Sequence, residues 1–345
     1  MIPSELDALS RRFLLAEFRD GGVVVDVESG DYLHINKSAS TICRVLLNPT
    51  LAKDGIGETA RLLGIDRQLA EQHIRGVLCA LAEPRTRRAS QERLQYTTSP
   101  SGFDLCYDER VVLHLDPDGQ TITLAAPVST LPASLDSFVR QVLPRVAFLK
   151  GMTVLHGAVV EQGADAVAIA GTSGAGKSTT AGALIDAGAR SIADDLIVVV
   201  GRADHVVVPE SAERRLNTWA AQTTQILRSD SAASTADFPR DMTGPETRLT
   251  GIWFLDRSQR RPDPHIRKDR LPPSRVLLRV LANSFVGSKD WSRHVRATQH
   301  LASTTAGYEI TVPDTVAALL SAARNQTTNV ASYLSDGTGS DGNQT

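Results

Sequence analysis

The stretch Gly171-Thr172-Ser173-Gly174-Ala175-Gly176-Lys177-Ser178 constrains this chain more than any other. It fits G-x-x-x-x-G-K-[ST], a loop that wraps phosphate oxygens. Ala166 to Ala170, just before it, is an apolar run of strand length. Thr179 to Ala187, just after it, has the amphipathic pattern of a helix that Gly188 can cap. Strand, loop and helix in that order are the context the motif requires. The glycines let backbone N–H groups converge on an anion, and the helix N-terminus adds positive potential. In such loops the lysine reaches the β- and γ-phosphates, and the hydroxyl residue after it holds Mg²⁺. Gly171, Thr172, Ser173, Gly174, Ala175, Gly176, Lys177, Ser178 and Thr179 are therefore the candidate residues for binding ATP, with Ser178 on Mg²⁺. A glycine-rich turn carrying a surface lysine is the reading without nucleotide.

A chain of 345 residues has room for two or three domains around this loop. Its 41% apolar and 22% charged residues are those of a soluble globular protein. A formal charge of −2 argues against bulk nucleic-acid binding and against a polybasic membrane anchor. Met1 to Phe18 lacks the uninterrupted apolar core of a signal peptide, and no stretch is long enough to span a membrane. Cys43, Cys79 and Cys106 are odd in number and far apart, which fits neither a disulfide framework nor a metal site. Cys43 and Cys79 fall on apolar helix faces, where core packing is expected. A reducing cytoplasm is the expected compartment, and homo-oligomerisation is left open.

Residues 1–85 read as a small α+β unit. Val23, Val25 and Val27 alternate, Glu28-Ser29-Gly30-Asp31 turns, and Tyr32, Leu33 and Ile35 return, which is a β-hairpin. Three helical patterns follow: Ala39 to Leu47, Ile56 to Leu63 with Gly64 closing it, and Ala70 to Leu81 with Asp66 as N-cap. The order suggests a winged-helix-like fold. Val24 to Asn36, followed by Ser38-Ala39-Ser40-Thr41-Ile42, resembles the PqqD-like family of precursor-peptide recognition units. The resemblance implies that a leader peptide adds a strand to an exposed sheet edge, where main-chain hydrogen bonds give affinity and alternate side chains give specificity. The competing readings are a purely structural unit and a DNA reader. The third helix mixes Arg67, His73 and Arg75 with Glu71 and Glu83, a weak basic face for DNA.

Residues 86–101 read as a polar linker, and 102–325 as the domain built on the loop. Phe103 to Leu124 gives short antiparallel strands around the turn Asp116-Pro117-Asp118-Gly119. Leu135 to Val146 gives a helix kinked or ended by Pro144. Val154 to Val160 is an apolar strand interrupted by His156 and Gly157. Beyond the loop, Asp194 and Asp195 precede the apolar run Leu196 to Val200. Two carboxylates at a strand start suit a nucleotide site: one holds Mg²⁺, the other orients or deprotonates an attacking hydroxyl.

Leu155-His156-Gly157, the glycine-rich loop and Ala193-Asp194-Asp195 together resemble the HPr kinase/phosphorylase superfamily. The resemblance implies a P-loop kinase fold of the HPr kinase/PEP carboxykinase type and phosphorylation of a serine hydroxyl. It implies that one aspartate of the pair is the base, the other assists with metal or geometry, and His156 sits beside them. Asp194, reached first along the chain, is assigned the base, and Asp195 the Mg²⁺. The glutamate–arginine–glycine signature of the bacterial HPr kinases has only a distorted counterpart in Glu246 to Gly251. With a PqqD-like unit in front, the chain is closer to HPr-kinase-related enzymes of peptide natural-product pathways.

Further along, Arg214 and Arg215 are candidates for neutralising phosphate charge, and 229–245 reads as a loop. Asp256, after the apolar Gly251 to Leu255, competes with the Asp pair for the metal. Arg257 to Arg275 is rich in bases and reads as a solvated hairpin or a patch for an acidic peptide. A final helix over Thr315 to Ala323 precedes a polar tail, 326–345, expected to be disordered. The expectation is thus an ATP- and Mg²⁺-dependent serine kinase with Lys177, Asp194, Asp195 and His156 at its centre. Its expected partner is a precursor peptide or small protein. A kinase of a carrier protein or metabolite, and a nucleotide-responsive binder without phosphotransfer, are the alternatives.

Overall fold

The computed structural model describes residues 3–28, 30–82, 94–99, 101–107, 110–125, 135–172, 174–229, 232–234, 237–239, 242, 244–255, 266–284, 291–313 and 316–327. The fold is mixed α/β, with three sheets. The first sheet follows helix α1 (Pro3–Arg12) and is a meander of β1 (Phe13–Phe18), β2 (Gly21–Asp26) and β3 (Tyr32–Ile35). Helices α2 (Lys37–Leu47), α3 (Gly55–Leu63) and α4 (Arg67–Ala82) follow. Asn36 caps α2 by accepting from the N–H of Ala39, and Gly64 ends α3 at φ +67°, a conformation glycine adopts without steric cost.

β2 is buried on both faces because successive side chains point opposite ways. Val24 packs with Cys43 and Leu81 of α2 and α4. Val23 and Val25 point the other way, into a core they share with Val276 and Val280 of α8 (Pro273–Asn283) and Val295 of α9 (Trp291–Thr304). Ser274, fully buried in the first turn of α8, donates to Asp20 and meets Nε2 of His34 at 2.8 Å. The unit read over 1–85 is therefore packed onto the rest of the chain and is not merely tethered to it.

The second sheet holds β4 (Leu94–Ser99), β5 (Gly102–Tyr107), β6 (Arg110–Leu115), β7 (Thr121–Leu124) and, added at its edge, β12 (Ala232–Ser234). The third is seven-stranded, in the order β11-β10-β8-β9-β13-β15-β14. Its members are β8 (Thr153–Gln162), β9 (Asp165–Gly171), β10 (Arg190–Gly201), β11 (Val206–Pro209), β13 (Glu246–Leu255), β14 (Arg267–Leu271) and β15 (Ala306–Thr311). β9, β13 and β15 run parallel, while β8 and β10 are antiparallel to their neighbours. Leu196 and Val198 of β10 face α5 (Leu135–Leu149) and α7 (Ala212–Ser229). Ile197 and Val199 face the α8–α9 side. Helices α6 (Lys177–Asp186) and α10 (Val316–Thr327) cover Val167, Ile169 and Leu255. A strand buried on both faces needs a near-continuous apolar run, and this is why the stretches around the loop show one.

Several expectations change. Residues 94–99, read as linker, form β4 against β5. The elements α1 and β1 precede the hairpin and were not expected. α5 continues through Pro144 to Leu149. Cys79 is exposed and only Cys43 and Cys106 are buried; none of the three is in a disulfide. α10 runs through Thr327, so the first two residues assigned to the tail are helical. The rest of the tail lies outside the described residues, as do 86–93, 256–265 and parts of 229–245. No helix among the described residues is long and apolar enough to cross a membrane.

Candidate active site

The loop sits at the carboxyl end of the parallel strands β9 and β13, where open α/β sheets place their ligands. Gly171, the last residue of β9, pairs with Leu255, the last of β13. Its φ is +153°, and a Cβ there would lie 2.4 Å from the carbonyl oxygen of Leu255. Only glycine lets β9 leave the sheet this close to β13. Gly174 and Gly176 follow at φ +76° and +100°. Gly176 is the N-cap of α6 and no side chain caps the helix, so its positive end is left for an anion. Lys177 is buried and donates to the carbonyl oxygens of Gly171 at 2.9 Å and Thr172 at 3.2 Å. Burial pulls its pKa down, and the charge of Asp195 opposes this. Lys177 and Asp195 are thus near enough for their charges to interact. Thr172, Gly174, Ser178 and Thr179 are exposed around it and Ala175 is buried beneath. Ser173 lies outside the described residues.

The aspartates do not stand at a strand start. β10 begins at Arg190, and the pair lies inside it, just past an irregularity in pairing between Ser191 and Ala193. Asp195 has φ +87°, the only non-glycine residue at positive φ among the described residues. Such a conformation costs on the order of 1–3 kcal/mol and persists only where its surroundings impose it. One such restraint is His156, whose Nδ1 is 3.1 Å from the carbonyl oxygen of Asp195. A carbonyl only accepts, so Nδ1 is the donor. Gly157 lies directly opposite Asp195 on β8, and a Cβ there would be 2.3 Å from the carbonyl oxygen of Ile169. The His156-Gly157 pair is therefore positional: one residue holds the Asp195 carbonyl, and the other lets β8 and β9 close beneath it.

One residue at this site carries no sequence signal tying it to the pair. Glu213, in the first turn of α7, accepts from the N–H of Asp194 at 2.7 Å (Oε2) and of Leu196 at 3.3 Å (Oε1). It is half-buried, and burial pushes its pKa up against the effect of those two hydrogen bonds. Its only local signature, an acid at a helix start, occurs on many surface helices. Of its neighbours, Arg214 is exposed and Arg215 half-buried. Asp256 lies outside the described residues.

These residues fit a nucleotide phosphate: converging glycines at positive φ, a helix end without a side-chain cap, and a buried lysine among loop carbonyls. No cluster of three or more His, Cys, Asp or Glu among the described residues could hold a metal by itself. Mg²⁺ is ordinarily held by one or two carboxylates together with phosphate oxygens, so Ser178 and Asp195 would be an adequate protein share.

No family model matches the chain, and no curated protein matches it. Among solved structures it is similar to the HPr(Ser) kinase/phosphatase from Coxiella burnetii, at 15% identity over 53% of this chain and 95% of that one, with a TM-score of 0.27. At that score the likeness carries no argument about fold or function.

Proposed function

We propose that the protein is an ATP-dependent serine kinase with a P-loop domain of the HPr kinase/PEP carboxykinase type, acting on a hydroxyl of a ribosomal precursor peptide. One observation carries the reading: Asp195, held at positive φ, lies near enough to the loop lysine, Lys177, for their charges to interact. A module that only binds nucleotide has no use for a carboxylate held in a strained conformation at the phosphate end of the loop. The backbone of Gly171 to Gly176 and the start of α6 hold the phosphates. Lys177 leaves its two carbonyl partners to neutralise charge on the β- and γ-oxygens. Ser178 and Asp195 would hold Mg²⁺, which would supply further neutralisation of phosphate charge. Asp194 accepts the proton of the acceptor hydroxyl as that oxygen forms its bond to the γ-phosphorus. The bond to the bridging oxygen breaks, giving a phosphoester and ADP. His156 keeps the Asp195 peptide in place.

The N-terminal sheet supplies the second half of the proposal. β3 is its last strand, paired only with β2 among the described residues, and a leader segment added along it would extend the meander. Capture there raises the effective concentration of the acceptor at the loop. The test is transfer of ³²P from γ-labelled ATP to a precursor peptide encoded beside this gene, with Lys177→Ala as control. Transfer by the wild type and none by Lys177→Ala is expected. Equal transfer by both would refute the assignment. Transfer to a small carrier protein or metabolite in place of the peptide would keep the kinase and remove the leader-capture role.

A further inference from the structure

β10 is an unusual strand around the aspartate pair. On one side it pairs with β8 from Arg190 to Val199, with one irregularity between Ser191 and Ala193. On the other side β11 pairs with it only at Val200 and Gly201. The outward N–H groups of Asp194 and Leu196 therefore meet no strand among the described residues. An open sheet edge must place such donors on a partner or on water. Glu213 supplies the acceptors, one carboxylate oxygen to each donor. The two N–H groups stand on either side of Asp195, the residue at φ +87°. On the inner side, His156 takes the carbonyl of the same residue. Asp195 is thus gripped at both flanking N–H groups and at its own carbonyl.

We infer that Glu213 is a positioning residue: its carboxylate clamps the N–H groups of Asp194 and Leu196, the residues on either side of Asp195, and so holds Asp195 in its left-handed conformation beside the loop. The inference rests on the kinase reading above and deepens it. A single carboxylate bridging N–H groups two residues apart does what a neighbouring strand would do, without occupying the space a strand would fill. The site stays open on that side for an acceptor. Placing a half-buried carboxylate beside two others is unfavourable for the fold. Chain packing alone would be served as well by an apolar residue, so the carboxylate is explained by what it holds.

The clamp makes predictions that a packing role does not. Glu213→Gln keeps the size but can offer only one acceptor; its amide N–H₂ meets the second backbone donor. Turnover should fall roughly 10–100-fold, as for other groups that orient the residues touching substrate or metal. The affinity for ADP with Mg²⁺, set by the loop itself, should change less than about threefold. The melting temperature should fall by no more than a few degrees, because the carboxylate charge that is removed offsets part of the lost hydrogen bond. Glu213→Asp, one methylene shorter, should recover part of the turnover. All are measured on the full chain by phosphate release or peptide phosphorylation, titration calorimetry with ADP, and thermal melting. Wild-type turnover in Glu213→Gln, with Asp194→Asn inactive, would overturn the clamp and leave the kinase reading. A loss of turnover matched by loss of ADP binding or of a cooperative melting transition would make Glu213 structural and overturn the clamp as well. Wild-type turnover in both Asp194→Asn and Lys177→Ala, or no ADP binding by the wild type, would overturn the kinase reading and the clamp together.

Discussion

Acidification should weaken this protein through one buried imidazole. His294, on α9, is 1% exposed and stands edge-on to Phe148 and Trp291. Its Nε2 pairs with Ser284 Oγ at 3.0 Å, and its Nδ1 has no hydrogen-bond partner among the described residues. Burial, aided by the charge of Arg293, lowers its pKa from 6.5 to about 4. The unfolded chain takes up the proton near pH 6.5, but the folded one does so only near pH 4. The stability from this group is therefore complete above pH 6.5 and is lost as the pH falls towards 4. At about 1.4 kcal/mol per pH unit, the whole effect is roughly 3 kcal/mol. It also reaches the candidate site, because Ser284 bridges to Leu155 of β8, the residue before His156. Urea denaturation of the wild type and His294→Leu between pH 7 and 4.5 isolates the effect, since the carboxylates that also titrate are common to both. The stability difference between the two proteins should narrow by roughly 2 kcal/mol over that range. Parallel curves would refute the reasoning and show that the ring takes up its proton without leaving its place.

Two further predictions concern the centre of the site. Gly157→Ala forces a methyl group to within 2.3 Å of the Ile169 carbonyl and 3.0 Å of Ile197 Cδ1, and neither strand can yield without parting. A loss of at least ~1–3 kcal/mol in denaturant titrations is expected, and a variant within about 0.5 kcal/mol of wild type would show that β8 can shift. Asp194→Asn should lose about 10²–10⁴-fold in phosphotransfer at every Mg²⁺ concentration while still binding nucleotide, because an amide cannot accept the hydroxyl proton. Asp195→Asn, whose amide still tolerates positive φ, should be partly restored by excess Mg²⁺. The opposite pattern exchanges the two roles, and near wild-type activity in both turns attention to Asp256.

Local sequence determined the elements that depend on near neighbours. An apolar run, glycines at fixed offsets, a lysine and an amphipathic run specify β9, the loop and α6, because each needs only its own residues to take that shape. Gly64 and Asp116 to Gly119 mark their helix end and turn for the same reason. The apolar runs of β8 and β10 were also legible, since a strand covered on both faces leaves no position for a polar residue except where the site requires one. Tertiary structure alone decided what stands beside the aspartates. The left-handed turn at Asp195 comes from the strand partners and hydrogen bonds around it, and neither Asp194-Asp195 nor Leu196 encodes it. Glu213 meets the pair only because α7 returns across the outer edge of β10, a contact no spacing rule predicts. The same holds for β2, whose three valines follow a simple pattern while the partner of its second face, α8, lies two hundred and fifty residues further along the chain. Local propensity is written in a few adjacent residues. The choice of partner is a property of the whole packed core, and there the sequence carries it only collectively.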